Sequence, residues 1–152
     1  MTAPLPEELT GALVVAVDDS SAAREALRYA ATLAADLHRA LDVVSVWNFV
    51  HGPAPEQGPD EAPTVAAWQA EAERRLTALV SDELASAGAE VRTTALHGNT
   101  VPTLLEVSRV ARHLVVGSRG RGGFSGLLLG STTQQLVQYA SSPVTVVREG
   151  TT

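Results

Sequence analysis

The sequence contains no cysteine, which excludes disulfide bonds, thiolate metal ligands and thiol redox chemistry. It also lacks an excess of positive charge, because 17 Asp and Glu residues outnumber 11 Lys and Arg residues and give a formal net charge of −6. A negative net charge disfavours non-specific attraction to nucleic acid and to anionic membranes. We therefore expect neither as a partner, and any anionic ligand must be held by local groups.

Long apolar runs and a leader-like beginning are missing as well. Residues 1–10 lack the basic start and apolar stretch of a signal peptide, and no apolar run approaches membrane-spanning length. These absences predict a cytoplasmic protein. The chain has 152 residues, 45% of them hydrophobic, which is enough for one buried core and leaves little room for two. We predict one domain over residues 1–152.

Short apolar runs alternate with helical periodicity along the chain. Strands are predicted at residues 12–17, 41–46, 90–96, 114–117 and 143–147. Helices are predicted at residues 21–37, 65–84, 102–112 and 132–140. Five strands alternating with four helices predict an α/β fold, a doubly wound parallel sheet with right-handed crossovers and helices on both faces.

Local signals mark several helix ends. Ser20 or Ser21 is placed to cap the first helix, and Thr64 is placed to cap the second. Gly88 stands where a left-handed cap would end the second helix, and Pro102 suits the first turn of the third. Residues 48–63, rich in proline and glycine, predict a long loop.

The most informative segment is residues 117–132, GSRGRGGFSGLLLGST, which leaves a predicted strand and enters a helix at Ser131 and Thr132. Its six glycines allow backbone amides to approach a ligand closely, and the helix start adds unpaired N–H groups and a positive dipole end. The two hydroxyls are placed to donate to a phosphate or to lie near a bound cation. The alternative is an ordinary surface loop whose helix is capped by Ser131.

Two better-known phosphate loops do not fit. A P-loop ends in Gly-Lys-Ser/Thr, and residues 117–132 contain no lysine. A Rossmann fingerprint follows the first strand, where this chain has Asp18 and Asp19 instead of glycine. Asp18 is either a turn residue or a ligand-binding carboxylate. The second role requires that the first and fourth strands be neighbours, so that Asp18 and Gly117 share a site.

The spacing Gly117-x2-Gly120-x9-Gly130-Ser131 resembles the signature of the universal stress protein family, of the ATP-binding type. The resemblance covers nearly the whole chain, including the segments VVAVDDS, VVSVW, HGNTVPTLLEVSRVARHLVVGSRG and SPVTVVR. It implies the strand order 3-2-1-4-5, in which the first and fourth strands are neighbours. It also implies ATP as ligand, together with Mg²⁺.

Carried onto this sequence, the resemblance implies that Asp18 contacts the ribose or adenine end and that the backbone near Val46 lines the adenine pocket. The implied site consists of Asp18, Val46, Gly117, Ser118, Arg119, Gly120, Gly122, Gly130, Ser131 and Thr132. Arg119 and Arg121 either pair with phosphates or face solvent. The chain departs from the family at two positions, because Asp19 replaces a glycine and His113 replaces an acidic residue.

Three function classes remain open. An ATP-hydrolysing or phosphoryl-transfer enzyme needs a positioned base, and His97 and His113 are the only histidines expected near the nucleotide-side elements. We interpret both as ordinary strand-end or surface residues, assign no catalytic residue and no protein-held metal, and expect slow hydrolysis at most. The family favours a stress-response or signalling role in which ATP is a structural ligand or switch. Residues 47–64 and the loop around Phe124 would then change order and alter a surface seen by an unknown protein partner. The third class is a dimeric interaction module that does not use ATP.

The implied strand order places an apolar strand, from Pro143 to Arg148, at the edge of the sheet. An exposed apolar edge favours pairing, and family members commonly join two such edges across a two-fold axis. We therefore predict a homodimer in which Val144, Val146 and Val147 are buried against the partner. The alternatives are a monomer in which residues 149–152 fold back and one in which charged neighbours keep the edges apart.

Overall fold

A computed structural model of the chain describes residues 4–50, 52–56, 62–86, 88–120 and 128–150. The strands are β1 (Leu13–Ala16), β2 (Leu41–Trp47), β3 (Val91–His97), β4 (His113–Gly117) and β5 (Val144–Val147). The α-helices are α1 (Ser21–Asp36), α2 (Val65–Glu83), α3 (Thr100–Val110) and α4 (Ser131–Tyr139), and a short 3₁₀ helix at Glu7–Leu9 precedes β1. Every predicted strand and helix is present, with ends that differ by at most two residues.

The strands form one parallel sheet in the order β3-β2-β1-β4-β5. Strand β1 is central, and its Val15 lies opposite Val43 of β2 and Val115 of β4. The strand order implied by the family resemblance is therefore confirmed. It makes β3 and β5 the two edges of the sheet.

The helices cover both faces of the sheet. Side chains from α1 and α2, such as Leu27 and Leu76, share a core with Val15. Side chains from α3 and α4, such as Leu104 and Leu136, share a second core with the other face of the strands. Burial on both faces explains why β1 reads as a continuous apolar run instead of an alternating one.

The helix ends match the sequence signals in part. The side chain of Ser20, and not that of Ser21, caps α1 by accepting from the Ala23 amide at 3.2 Å, and Thr64 caps α2. The prediction for Gly88 is wrong, because α2 ends at Glu83 and Gly88 has no positive φ. Pro102 is the third residue of α3 and therefore lies in its first turn, as predicted. It costs no hydrogen bond there, since the first four N–H groups of a helix have no partner within it.

A buried ion pair joins the edge strand β3 to β2. The carboxylate of Asp42 is 1% exposed and accepts two hydrogen bonds from Arg92, at 3.0 Å from Nε and 2.7 Å from Nη2. The hydrogen bond to Asp42 raises the pKa of Arg92. Among the described helices, none combines the length and apolarity needed to cross a membrane.

Candidate functional site

The carboxyl ends of β1 and β4 meet at the point where the chain leaves neighbouring strands toward opposite faces. Helix α1 follows β1 onto one face, and α4 follows β4 onto the other. Ligands of open α/β sheets bind at such a switch point. A cavity of about 300 Å³ opens here, at the lower end of the size range of small-molecule sites. It is lined by Ala16, Val17, Asp18, Ala23, Val44, Val46, Thr100, Leu104, Val116, Gly117, Arg119, Gly120, Gly130, Ser131, Thr132, Thr133 and Leu136.

The three glycines of the sequence signature lie against other parts of the site, and Gly117 is the one at which two backbones approach each other closely. A Cβ on Gly117 would lie 2.8 Å from the carbonyl carbon of Ala22, in the first turn of α1. A Cβ on Gly130 would lie 3.4 Å from both the Arg119 Cα and the Gly120 nitrogen. A Cβ on Gly120 would lie 2.9 Å from Oδ2 of Asp18. These glycines thus bring β4, the 118–120 turn and the start of α4 together around the cavity.

The amino end of α4 faces the cavity. Ser131 and Thr132 line it, and the N-cap residue is Gly130, which has no side chain to cap the first turn. The hydroxyl of Thr133 instead donates to the carbonyl of Gly117 at 2.8 Å, which fixes α4 to the end of β4. Uncapped N–H groups and the positive end of the helix dipole suit a bound anion.

Asp18 forms a turn and also lies at the cavity wall. Its Oδ1 accepts from the Ser20 amide at 2.9 Å, which is a turn-forming contact, while the residue also lines the cavity. Asp19, one of the two departures from the family pattern, is exposed and is not among the described residues that line the cavity.

Eight of the ten residues predicted for the site line this cavity: Asp18, Val46, Gly117, Arg119, Gly120, Gly130, Ser131 and Thr132. Ser118 is buried behind the turn, where its N–H donates to Val147 and its carbonyl accepts from Gly130, both at 2.8 Å. Gly122 lies outside the described residues, as do Arg121 and Phe124.

Sequence reasoning missed several lining residues, among them Thr100 and Leu104 of α3 and Thr133 and Leu136 of α4. Once the strand order is given, α3 must begin at the same edge of the sheet as α4, because both helices follow the carboxyl end of a strand. The strand order could therefore have predicted that Thr100, the first residue of α3, lies near the cavity.

Neither His97 nor His113, the two histidines considered as catalytic bases, is among the described residues that line the cavity. His97 ends β3, and its ring stacks on the indole of Trp47 with centroids 4.3 Å apart. The expected place of His113 near the nucleotide side is wrong, because it begins β4 at the end opposite Gly117. Its Nε2 lies 2.7 Å from the Thr145 hydroxyl, and burial lowers its pKa. Within the described ranges, no three His, Asp or Glu side chains are grouped as a metal site.

Fold and cavity together define a doubly wound α/β protein with a cavity at its switch point. The sequence matches the Universal stress protein family over residues 11–148, and the chain belongs to that family. It is 34% identical over 151 residues to Universal stress protein Rv1996 of Mycobacterium tuberculosis, covering 90% of this chain and 48% of that protein. Universal stress protein Rv2623 of the same species is 34% identical over 159 residues, covering 97% of this chain and 48% of the relative. The chain spans about half the length of these relatives.

Solved structures of the family share the fold. Universal stress protein UspA from Lactobacillus plantarum superposes with a TM-score of 0.69 at 22% identity, covering 91% of this chain and 99% of that one. A universal stress protein from Archaeoglobus fulgidus in complex with dAMP gives 0.63 at 24% identity, covering 91% and 98%. A universal stress protein in complex with cAMP gives 0.64 at 22% identity, covering 90% and 95%.

Proposed function

We propose that this chain is a stress-response or signalling protein that binds ATP in the cavity between the ends of β1 and β4. The observation that carries the proposal is the convergence of the glycine signature and the uncapped start of α4 on one cavity. The family structures with dAMP and cAMP support a nucleotide as the kind of ligand. The cytoplasm is the proposed location.

The cavity walls suggest a role for each group. The triphosphate lies against the first turn of α4, where Ser131 and Thr132 add hydroxyl donors to the backbone N–H groups. The adenine lies toward Val46, and Asp18 accepts from a ribose hydroxyl. Mg²⁺ prefers hard oxygen ligands. A phosphate-bound ion would find them in the phosphates themselves, with the hydroxyls of Ser131 and Thr132 nearby.

We propose that ATP acts as a structural ligand or switch and is hydrolysed slowly at most. Phosphoryl transfer needs a positioned base and cationic charge at the transferred group. Among the described residues that line the cavity, Asp18 alone is acidic and Arg119 alone is basic, and Asp18 already accepts from Ser20. The alternatives are an efficient nucleotide-hydrolysing or phosphoryl-transfer enzyme and an interaction module that does not use ATP.

Calorimetric titration tests the proposal. We expect ATP to bind more tightly than GTP by about tenfold or more. The edge of guanine does not match the backbone groups that would bind adenine, and a buried backbone group left without a hydrogen bond costs about 1–3 kcal/mol of binding free energy. Equal affinity for ATP and GTP would overturn the adenine assignment. Absence of binding by either nucleotide would overturn the nucleotide proposal and leave the glycine segment with a packing role alone.

We also propose that the chain forms a homodimer through β5. The carbonyl of Pro143 accepts from Leu114 of β4, and that of Val147 accepts from Ser118, directly after β4. The N–H groups of Val144 and Val146 therefore point to the open edge. Val147 was predicted to be buried against the partner, and this part of the prediction is wrong. It is 3% exposed within the chain itself and packs with the α1 side of the core. Exposed apolar residues on α4, including Val137 at 53% and Tyr139 at 61%, lie on the element that precedes this edge.

The variant Val146→Pro tests edge pairing. It removes an outward N–H that a partner strand would use and no hydrogen bond of this chain, so we expect light scattering to shift from dimer to monomer. Thr93→Pro is the matched control, because its N–H points outward from the opposite edge strand, β3. A parent protein that scatters as a monomer at micromolar concentration contradicts the proposal. Dissociation by both variants also contradicts it.

A further inference from the structure

The residues that follow β5 return to the rim of the cavity. The carboxylate of Glu149 accepts a hydrogen bond from the Ser21 hydroxyl and pairs with Nη2 of Arg119 at 3.3 Å. The next residue, Gly150, donates its N–H to both carboxylate oxygens of Glu25, at 2.8 and 3.0 Å. Two acidic side chains thus hold this segment, and only Glu149 connects it to the cavity through Arg119.

The contact matters because Arg119 is the one basic residue among the described residues that line the cavity. A guanidinium group binds carboxylate and phosphate with the same fork of N–H donors. A phosphate that reaches Arg119 must therefore share it with Glu149 or displace it. Both side chains are partly exposed, 31% for Arg119 and 40% for Glu149, so the pair is accessible to exchange.

The charge of Glu149 is present at neutral pH. The hydrogen bond from Ser21, assisted by the charge of Arg119, lowers the pKa of its carboxyl. Asp18 also lines the cavity, so carboxylates are found both at the cavity wall and, through Glu149, at its rim. Repulsion between these carboxylates and a ligand grows with the number of charges that the ligand's phosphates carry.

We infer that Glu149 is a specificity-determining residue that competes with ligand phosphate for Arg119 and weakens the binding of triphosphates more than that of monophosphates. The inference rests on the proposed nucleotide function and adds to it a residue that discriminates between nucleotides by the charge of their phosphates. A bound triphosphate takes Arg119 from Glu149 and weakens the attachment of the C-terminal segment to the cavity rim. Nucleotide occupancy is thereby coupled to the position of residues 149–150.

The variant Glu149→Gln tests the inference, because the amide keeps an oxygen acceptor for Ser21 and removes the charge. Calorimetric titrations use ATP and AMP without divalent cations. We expect the Kd for ATP to fall by about threefold to fivefold, the range of an exposed charge pair. The Kd for AMP should change by less than about twofold, because a single phosphate is repelled less. Glu25→Gln is the matched control, since Glu25 of α1 carries an equal charge and contacts the same segment through Gly150 instead of through Arg119, and both affinities should stay unchanged.

The outcomes separate the two proposals. Absence of ATP and AMP binding to the parent protein overturns the nucleotide function and this inference together. Binding to the parent with equal affinities for Glu149→Gln and Glu25→Gln overturns the inference alone. Equal gains in affinity for ATP and AMP in Glu149→Gln also overturn it. Competition between Glu149 and ligand phosphate for Arg119 predicts a larger gain in affinity for the triphosphate.

Discussion

Replacement of Gly117 by alanine is expected to lower the free energy of unfolding by about 2–3 kcal/mol, a typical cost of overpacking a core. The added Cβ would lie 2.8 Å from the carbonyl carbon of Ala22 and 3.0 Å from the amide nitrogen of Ala23. Both atoms belong to the first turn of α1, which Ser20 caps, so they do not move aside as the end of a side chain does. The end of β4 and the start of α1 must separate. Denaturant unfolding of parent and variant measures the loss.

Gly120→Ala is the control within the same sequence signature. Among the described residues, its Cβ would meet Oδ2 of Asp18 at 2.9 Å, and the next nearest atom is 4.0 Å away on the same side chain. The Asp18 carboxylate can rotate, so we expect a stability change below about 1 kcal/mol. Under the proposed function this variant still loses ATP affinity, because the Cβ and the displaced carboxylate alter the cavity wall. Equal losses of stability in both variants would contradict the packing assigned to Gly117.

Removal of the Arg92 side chain should destabilise the protein to a similar degree. Arg92→Ala leaves the Asp42 carboxylate, 1% exposed, without the two hydrogen bonds that compensate its burial. Breaking a fully buried pair costs about 3–5 kcal/mol. The side chain of Arg92 is 39% exposed, so water reaches part of this pair. We therefore expect a loss of about 2–3 kcal/mol, measured by denaturant unfolding.

Arg74→Ala is the matched control for this loss. Arg74 also pairs with a carboxylate, Glu71, but its side chain is 65% exposed on the surface of α2. Surface pairs contribute little to stability. The midpoint of unfolding should stay within experimental error of the parent. If the midpoint of Arg92→Ala were also equal to that of the parent, Asp42 would have to be hydrated in the absence of its partner, which would contradict the burial described for it.

The sequence predicted the elements of the fold because each has a strong local pattern. Strands buried on both faces appear as apolar runs, and Thr64 and Ser20 mark helix starts through hydrogen bonds within one turn. The order of the strands depends on contacts between distant segments and came only from the family resemblance. The prediction for Gly88 was wrong because nothing in the local sequence distinguishes a glycine that caps a helix from a loop glycine a few residues beyond it.

The site was predictable where its residues are adjacent in the chain. The segment from Gly117 to Thr132 contains a glycine pattern that predicts phosphate binding without any tertiary information. The Thr133 contact to Gly117 and the Glu149 contact to Arg119 join positions 16 and 30 residues apart, so no spacing rule indicated them. The burial of Val147 was also hidden, because three of the four residues of β5 are valines and no alternation marks its faces.

The most direct test of the central claim is an amide chemical-shift titration of the ¹⁵N-labelled protein with ATP. The proposed site predicts the largest shifts at Asp18, at Gly117 and Gly120, and at Ser131 and Thr132, with little change along β3. Absence of shifts at millimolar ATP would contradict nucleotide binding. Shifts confined to the groove beside β3, lined by Gln69 and Thr93, would contradict the location of the site.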